Sequence, residues 1–113
     1  MLRAIRRFWE RGRKGFTLED MWSFDNWLSQ TITRGLKEFR ANVHGYPSEA
    51  VTFERWLEIL DEMIKCFEAQ TRTIDNLPNK NQLKVWQERQ AYKKKQLKRG
   101  LQLLQKYYYD LWD

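Results

Sequence analysis

Apolar residues recur at helical spacing through most of this chain, and many of them are aromatic. Met21, Phe24, Leu28, Ile32, Leu36 and Phe39 follow steps of three and four, and Trp22 and Trp27 widen the stripe. A second stripe holds Phe53, Trp56, Leu57, Leu60, Ile64 and Phe67. Between them lies His44-Gly45-Tyr46-Pro47-Ser48. Gly45 permits a positive φ, and Pro47 restricts Tyr46 to extended backbone, so this segment is a turn. The pattern predicts helices over 17–41 and 52–74. Thr17 is the expected N-cap of the first, and Asn76-Leu77-Pro78-Asn79 breaks the second. Gly35 falls mid-helix, where glycine costs about 1 kcal/mol relative to alanine. Close approach of another helix at Gly35 is the expected compensation.

A third long helix is predicted over 80–112. Leu83 and Trp86 anchor its start, the stretch from Gln87 to Gln96 is mostly polar, and Leu97, Leu101, Leu104, Tyr108 and Leu111 then repeat in heptad-like steps. Gly100 weakens that stretch, and two heptads are too few to define a coiled coil. They leave a homodimer through 97–111 as one possible assembly. Near the start, Leu2, Ile5 and Trp9 share helical spacing, with arginines on the other side. This predicts a short basic helix over 1–15.

The expected fold class is therefore all-α. It is a small, compact helical bundle of three main helices plus the short N-terminal one, all in a single domain, 1–113. The 17–41 and 52–74 helices should form an antiparallel hairpin with the 80–112 helix along it. Expected core positions are Trp22, Leu28, Ile32, Phe39, Trp56, Leu60, Ile64, Phe67 and Leu104. The 15% aromatic content supports a packed core, because disordered chains are poor in aromatics.

The net charge of +6 is unevenly spread. Arg3, Arg6, Arg7, Arg11, Arg13 and Lys14 crowd one end, and Lys93, Lys94, Lys95, Lys98 and Arg99 crowd the last third. Glu49, Glu54, Glu58, Asp61, Glu62 and Glu68 make the middle acidic. Basic ends and an acidic middle can pair within the fold or face partners. No apolar run approaches the ~18 residues that span a bilayer, so no membrane partner is expected. No apolar signal-peptide core follows the basic N-terminus, and the single cysteine, Cys66, rules out an intramolecular disulfide. A cytoplasmic location is the expectation.

Catalytic groups are sparse. One histidine, His44, and Cys66 are the ordinary nucleophile-and-base candidates, and they fall short of the four Cys/His ligands of a structural zinc site. Glu58, Asp61 and Glu62 share a helical face at carboxylate-site spacing, yet read best as a solvated acidic face. Gly12-Arg13-Lys14-Gly15 is too short to cradle a phosphate. No enzyme activity, cofactor or metal is expected.

Binding surfaces are better represented. Arg3, Arg6, Arg7, Arg11 and Arg13 with Trp9 form a basic helix. It can dock on the acidic 49–68 helix, neutralise phosphates, meet a partner protein or lie on a membrane surface. Lys93, Lys94, Lys95, Lys98 and Arg99 are nucleic-acid candidates. The C-terminal Tyr107-Tyr108-Tyr109-Asp110-Leu111-Trp112 is too aromatic for one core face. Tyr108 and Leu111 fit the stripe, which leaves Tyr107, Tyr109 and Trp112 as partner-binding candidates. Tyr46 is expected to pack back on the helix ends.

Trp22-Ser23-Phe24-Asp25, the Gly45-Tyr46-Pro47 turn, the helix opening Trp56-Leu57-Glu58-Ile59-Leu60 and the closing Leu111-Trp112-Asp113 together resemble a group of small phage-encoded helical proteins. The likeness covers about residues 20–70 and brings no assigned activity. It implies the cytoplasm of an infected bacterial host. It also implies an accessory protein that binds, and sterically occludes, a host or defence protein. The alternatives are nucleic-acid binding through the two basic clusters and a phage structural or assembly role.

Overall fold

The computed structural model describes residues 2–18, 21, 23–71 and 82–112. The chain folds as α1 (Leu2–Lys14), α2 (Phe24–Asn42), α3 (Phe53–Glu68) and α4 (Leu83–Tyr107), with short 3-10 turns at Ser48–Ala50 and Tyr108–Asp110. It contains no strand among the described residues. The all-α class and the division into three main helices and a short basic one are as the pattern predicts.

The helix bounds differ from the expected ones. Ser23, not Thr17, precedes the first turn of α2, and Thr17 is a fully buried residue of the segment before it. Asp25 stands in the first turn of α2, where a negative charge suits the helix start. Thr52 caps α3: its hydroxyl accepts a hydrogen bond from the Arg55 backbone N–H at 3.1 Å. Helix α3 ends at Glu68 and turns through Ala69–Thr71 rather than running to 74. The break expected at 76–79 and the core position expected at Trp22 lie outside the described residues.

Helix α3 is the centre of the molecule. Trp56, Ile59, Leu60, Met63, Ile64, Cys66 and Phe67 are all buried, which occupies about half of its circumference. Both α2 and α4 pack on it, antiparallel in each case, and no Cα of α2 approaches one of α4 within 8 Å. Lys37 and Arg40 of α2 reach Glu68 and Asp61 of α3, and Arg99 of α4 reaches Glu62. In the Arg40–Asp61 ion pair, Arg40 Nη2–H donates to Asp61 Oδ2 at 3.1 Å, and Nε lies 2.6 Å from Oδ1 but is not aligned to hydrogen-bond it. The acidic middle helix is thus paired with its bundle neighbours and not with the N-terminal helix.

Rather than a compact bundle, the molecule is flat. Its extents are 47 × 43 × 19 Å, and its radius of gyration is 17.2 Å. A compact domain of this length has about 13 Å. Trp56, Leu60, Ile64 and Phe67 form the core as expected, with Leu36, Val43, Ala50, Ile59, Met63, Leu103 and Tyr107. Ile32, Phe39 and Leu104 pack at its edge, while Leu28 is exposed.

The seam of α4 is displaced from the expected heptads. Gly100, Leu103 and Tyr107 are its buried positions, whereas Leu97, Leu101 and Tyr108 face solvent. The close helix approach sits at Gly100 and not at Gly35. A Cβ on Gly100 would meet the Cβ of Cys66 at 2.8 Å, but nothing lies within 4 Å of the same position on Gly35.

Candidate functional site

The C-terminal end of α4 meets the connection between α2 and α3. Tyr107 packs on Trp56, ring centroids 5.4 Å apart, and both are buried. Tyr107, expected as a surface anchor, is therefore part of the core. The one-residue change in helical phase that buries Tyr107 turns Tyr108 outward. Tyr109 and Trp112 are exposed, at 85% and 76%. Tyr108 and Tyr109 meet edge to face at 5.3 Å. This paired, projecting arrangement is the kind favoured at interface anchors.

Tyr46 joins this end. Its ring lies 6.4 Å from that of Phe53, yet it stays half-exposed, so it packs back only in part. Gly45, Tyr46, Pro47, Trp56, Asp110 and Trp112 line one pocket of about 220 Å³. The turn and the C-terminus, separate in sequence, thus form one surface. Nothing in the chain's periodicity marks that meeting; it follows from the antiparallel return of α4 along α3. A pocket lined by Tyr46, Trp56 and Trp112 together with an acidic residue, Asp110, suits a cationic side chain, through ring faces and charge together.

The connection carries one strained residue at this end. Val51 has φ 73° and ψ −45°, and Thr52 N–H donates to Ala50 C=O at 2.9 Å across it. This is a γ-turn with positive φ, a costly conformation for a β-branched residue. Val51 is also exposed.

The basic clusters separate from one another. In α1, Arg6 and Glu10 form a loose i,i+4 pair at 3.8 Å. Arg3, Arg6, Arg7 and Arg11 each have an interaction partner within the chain. Arg13 and Trp9 are exposed. Helix α1 does not dock on α3, since none of its Cα atoms comes within 8 Å of those of α2, α3 or α4. It is tied instead through the following segment. The Leu18 N–H donates to Glu10 at 2.6 Å, and the Phe16 ring meets Trp27 of α2 at 6.0 Å. In α4, Lys94, Lys95 and Lys98 are exposed, Lys93 is half-buried, and Arg99 is held by Glu62 at 2.7 Å. Trp86, Arg89, Tyr92 and Lys93 share a second, shallower pocket near the end of α3.

The groups with nucleophile chemistry stay apart. His44 precedes α3 and Cys66 lies near its other end, with about 20 Å of helix between. The Cys66 thiol donates to Gln96 Oε1 at 3.4 Å. Burial pushes its pKa up and Glu62 adds to this, with Arg99 and Lys65 opposing. A reactive thiolate needs the reverse. Glu58, Asp61 and Glu62 are each taken by a different arginine, Arg55, Arg40 and Arg99. No group of three potential ligands gathers among the described residues. No helix among them is long and apolar enough to cross a membrane. No family model matches the chain, and no similar curated protein or solved structure is found.

Proposed function

We propose that this is a non-enzymatic binding protein that captures a protein partner at its aromatic end. The observation that carries this reading is the gathering of Tyr46, Tyr108, Tyr109 and Trp112 at one end of the bundle, exposed, above a buried Trp56–Tyr107 pair. Aromatic side chains on a rigid support give large contact area at low entropic cost, the usual make-up of interface hot spots. The pocket beside Asp110 suits a lysine or arginine of the partner as the central anchor. The likeness to small phage-encoded helical proteins supplies a setting: the partner would be a host or defence protein, blocked by steric occlusion.

The test is a pull-down from host cells, nuclease-treated, with the wild type and with Tyr109→Ser plus Trp112→Ser. Both residues are exposed, so the variant keeps its fold. A stoichiometric protein band present with the wild type and lost with the variant supports the reading. A band retained equally by both, or no band at all, rejects it.

A second reading is favoured by the surface formed by Trp86, Arg89, Tyr92 and Lys93. Rings beside cations suit single-stranded nucleic acid, through stacking and phosphate contact. Affinity would then fall steeply with salt, and Trp86→Ala would weaken binding at every salt concentration.

A further inference from the structure

Helix α1 lies inside out. Leu2, Ile5, Phe8 and Trp9 share one side of it, and that side faces water, with Leu2, Phe8 and Trp9 at 84%, 75% and 64% exposure. Among its described side chains the least exposed are polar, Arg7 and Glu10, and Glu10 is the residue that holds the Leu18 N–H. The polar side of the helix is turned toward its own chain and the apolar side away from it. Burial within the chain would favour the opposite orientation.

The charge on α1 is placed as sharply as its apolar side. Arg3, Arg7 and Arg11 run down the opposite side at steps of four. Arg6 and Arg13 border one edge of the apolar side, and Arg11 stands beyond Ala4 at the other. The only acid in the helix is Glu10. Phe8 and Trp9 meet edge to face at 6.3 Å within the exposed side.

We propose that α1 lies along an anionic lipid surface, with Leu2, Ile5, Phe8 and Trp9 buried at the headgroup boundary and the bordering arginines at the phosphates. A short helix with a strongly polar arginine-rich face and a Trp/Phe/Leu face is built for that plane. Lying on a bilayer and crossing one are different demands, and α1 meets the first. Long arginine side chains keep the charge at the headgroups while their stems cover apolar surface. Tryptophan is favoured at the same depth.

Other occupants use only part of the helix. Nucleic acid would engage the arginines and leave Leu2, Ile5 and Phe8 in water. A second copy of α1 would bring like-charged borders together. An anionic interface engages both sides of the pattern at once. The proposal is independent of the aromatic end, which lies beyond α4.

The test is flotation of the full chain with vesicles of phosphatidylcholine alone and of phosphatidylcholine mixed in equal parts with phosphatidylglycerol. Two variants accompany the wild type, Phe8→Ser plus Trp9→Ser, and Arg6→Gln plus Arg13→Gln. Both keep the wild-type helical circular dichroism and Tm, because α1 does not pack on the core. The wild type floats with the anionic vesicles, and much less with the neutral ones. Each double variant loses at least about tenfold in partitioning, one from its apolar face and one from its charge. A wild type that stays unbound with anionic vesicles overturns the proposal. So does a Phe8→Ser plus Trp9→Ser protein that floats as well as the wild type. Retention of duplex DNA by the wild type without flotation assigns α1 to nucleic acid instead.

Discussion

Gly100 and Cys66 set the distance between α3 and α4. A Cβ on Gly100 would fall 2.8 Å from the Cys66 Cβ and 3.2 Å from a ring carbon of Phe67. Neither neighbour is the tip of a flexible side chain, so the helices themselves would have to part. Alanine in a helix gains about 1 kcal/mol over glycine. Overpacking a closed interface costs about 1–3 kcal/mol. The second effect wins here, and Gly100→Ala is expected to destabilise the protein by about 1 kcal/mol. Gly35 has open space where its Cβ would be, so Gly35→Ala should stabilise by about 1 kcal/mol. Urea unfolding of the two variants should give midpoints on opposite sides of the wild type. The same sign for both would remove the close-approach account.

Cys66 is a packing residue whose thiol must stay protonated in the native state. Its ordinary value of 9.0 is raised by burial first and then by Glu62. Below that value both folded and unfolded thiols hold their proton, and the full stability is present. Above it the unfolded thiol ionises while the native one does not, so unfolding releases a proton. Stability therefore falls as pH rises from the unfolded value through the folded one. Wild type minus Cys66→Ala, compared by Tm at about pH 8 and about pH 10, should show the wild type losing ground at the higher pH. A thiol reagent such as iodoacetamide should label the native protein slowly and the urea-unfolded protein fast. Rapid native labelling would contradict the buried placement.

The phase of α4 gives a direct contrast between two leucines. Leu103 is in the core and Leu101 is exposed. Leu103→Ala should cost about 2–5 kcal/mol, in the usual range for emptying a buried leucine site. Leu101→Lys should change stability by no more than about 0.5 kcal/mol and leave the protein folded. If the heptad register of 97, 101, 104, 108 and 111 were the true seam, Leu101→Lys would be the damaging change. Thermal denaturation of the two variants decides between the registers.

That register shows where the sequence is legible and where it is not. Helix α3 is amphipathic with a single apolar side, so its period and phase can both be read, and Trp56, Leu60, Ile64 and Phe67 are buried as the spacing predicts. The last part of α4 and the 3-10 turn after it have Leu101, Leu103, Leu104, Tyr107, Tyr108 and Tyr109, so apolar residues fall on most sides. Period survives there, but phase does not. The glycine at position 100 fixes it, because only that face lets α3 come close to Cys66. A half-buried Gln96 partner for the Cys66 thiol follows from the same phase, and polar content alone would have placed it outside. The docking expected of α1 on α3 fails for a similar reason. Charge complementarity is real, but Asp61, Glu62 and Glu68 are met by Arg40, Arg99 and Lys37, which lie in register along the packed helices. That Tyr46 and Trp112 line one pocket is a matter of topology, which local spacing does not encode.

The γ-turn at Val51 provides the last prediction. An exposed valine held at φ 73° makes no packing contribution that offsets its backbone cost. Such a conformation costs about 1–3 kcal/mol for a non-glycine residue. Glycine adopts it without a Cβ clash but loses about 0.4–1 kcal/mol through the greater freedom of its unfolded chain. The balance favours the substitution, and Val51→Gly should raise stability by about 1 kcal/mol. Val51→Pro should be strongly destabilising, because proline fixes φ near −65°. The Thr52 cap and the Ala50–Thr52 hydrogen bond depend on this turn, so amide exchange at Thr52 should slow in the glycine variant and quicken in the proline one. A glycine variant less stable than the wild type would mean that the valine side chain holds the aromatic end in place, and Val51 would then join Tyr46 and Trp112 as part of that surface.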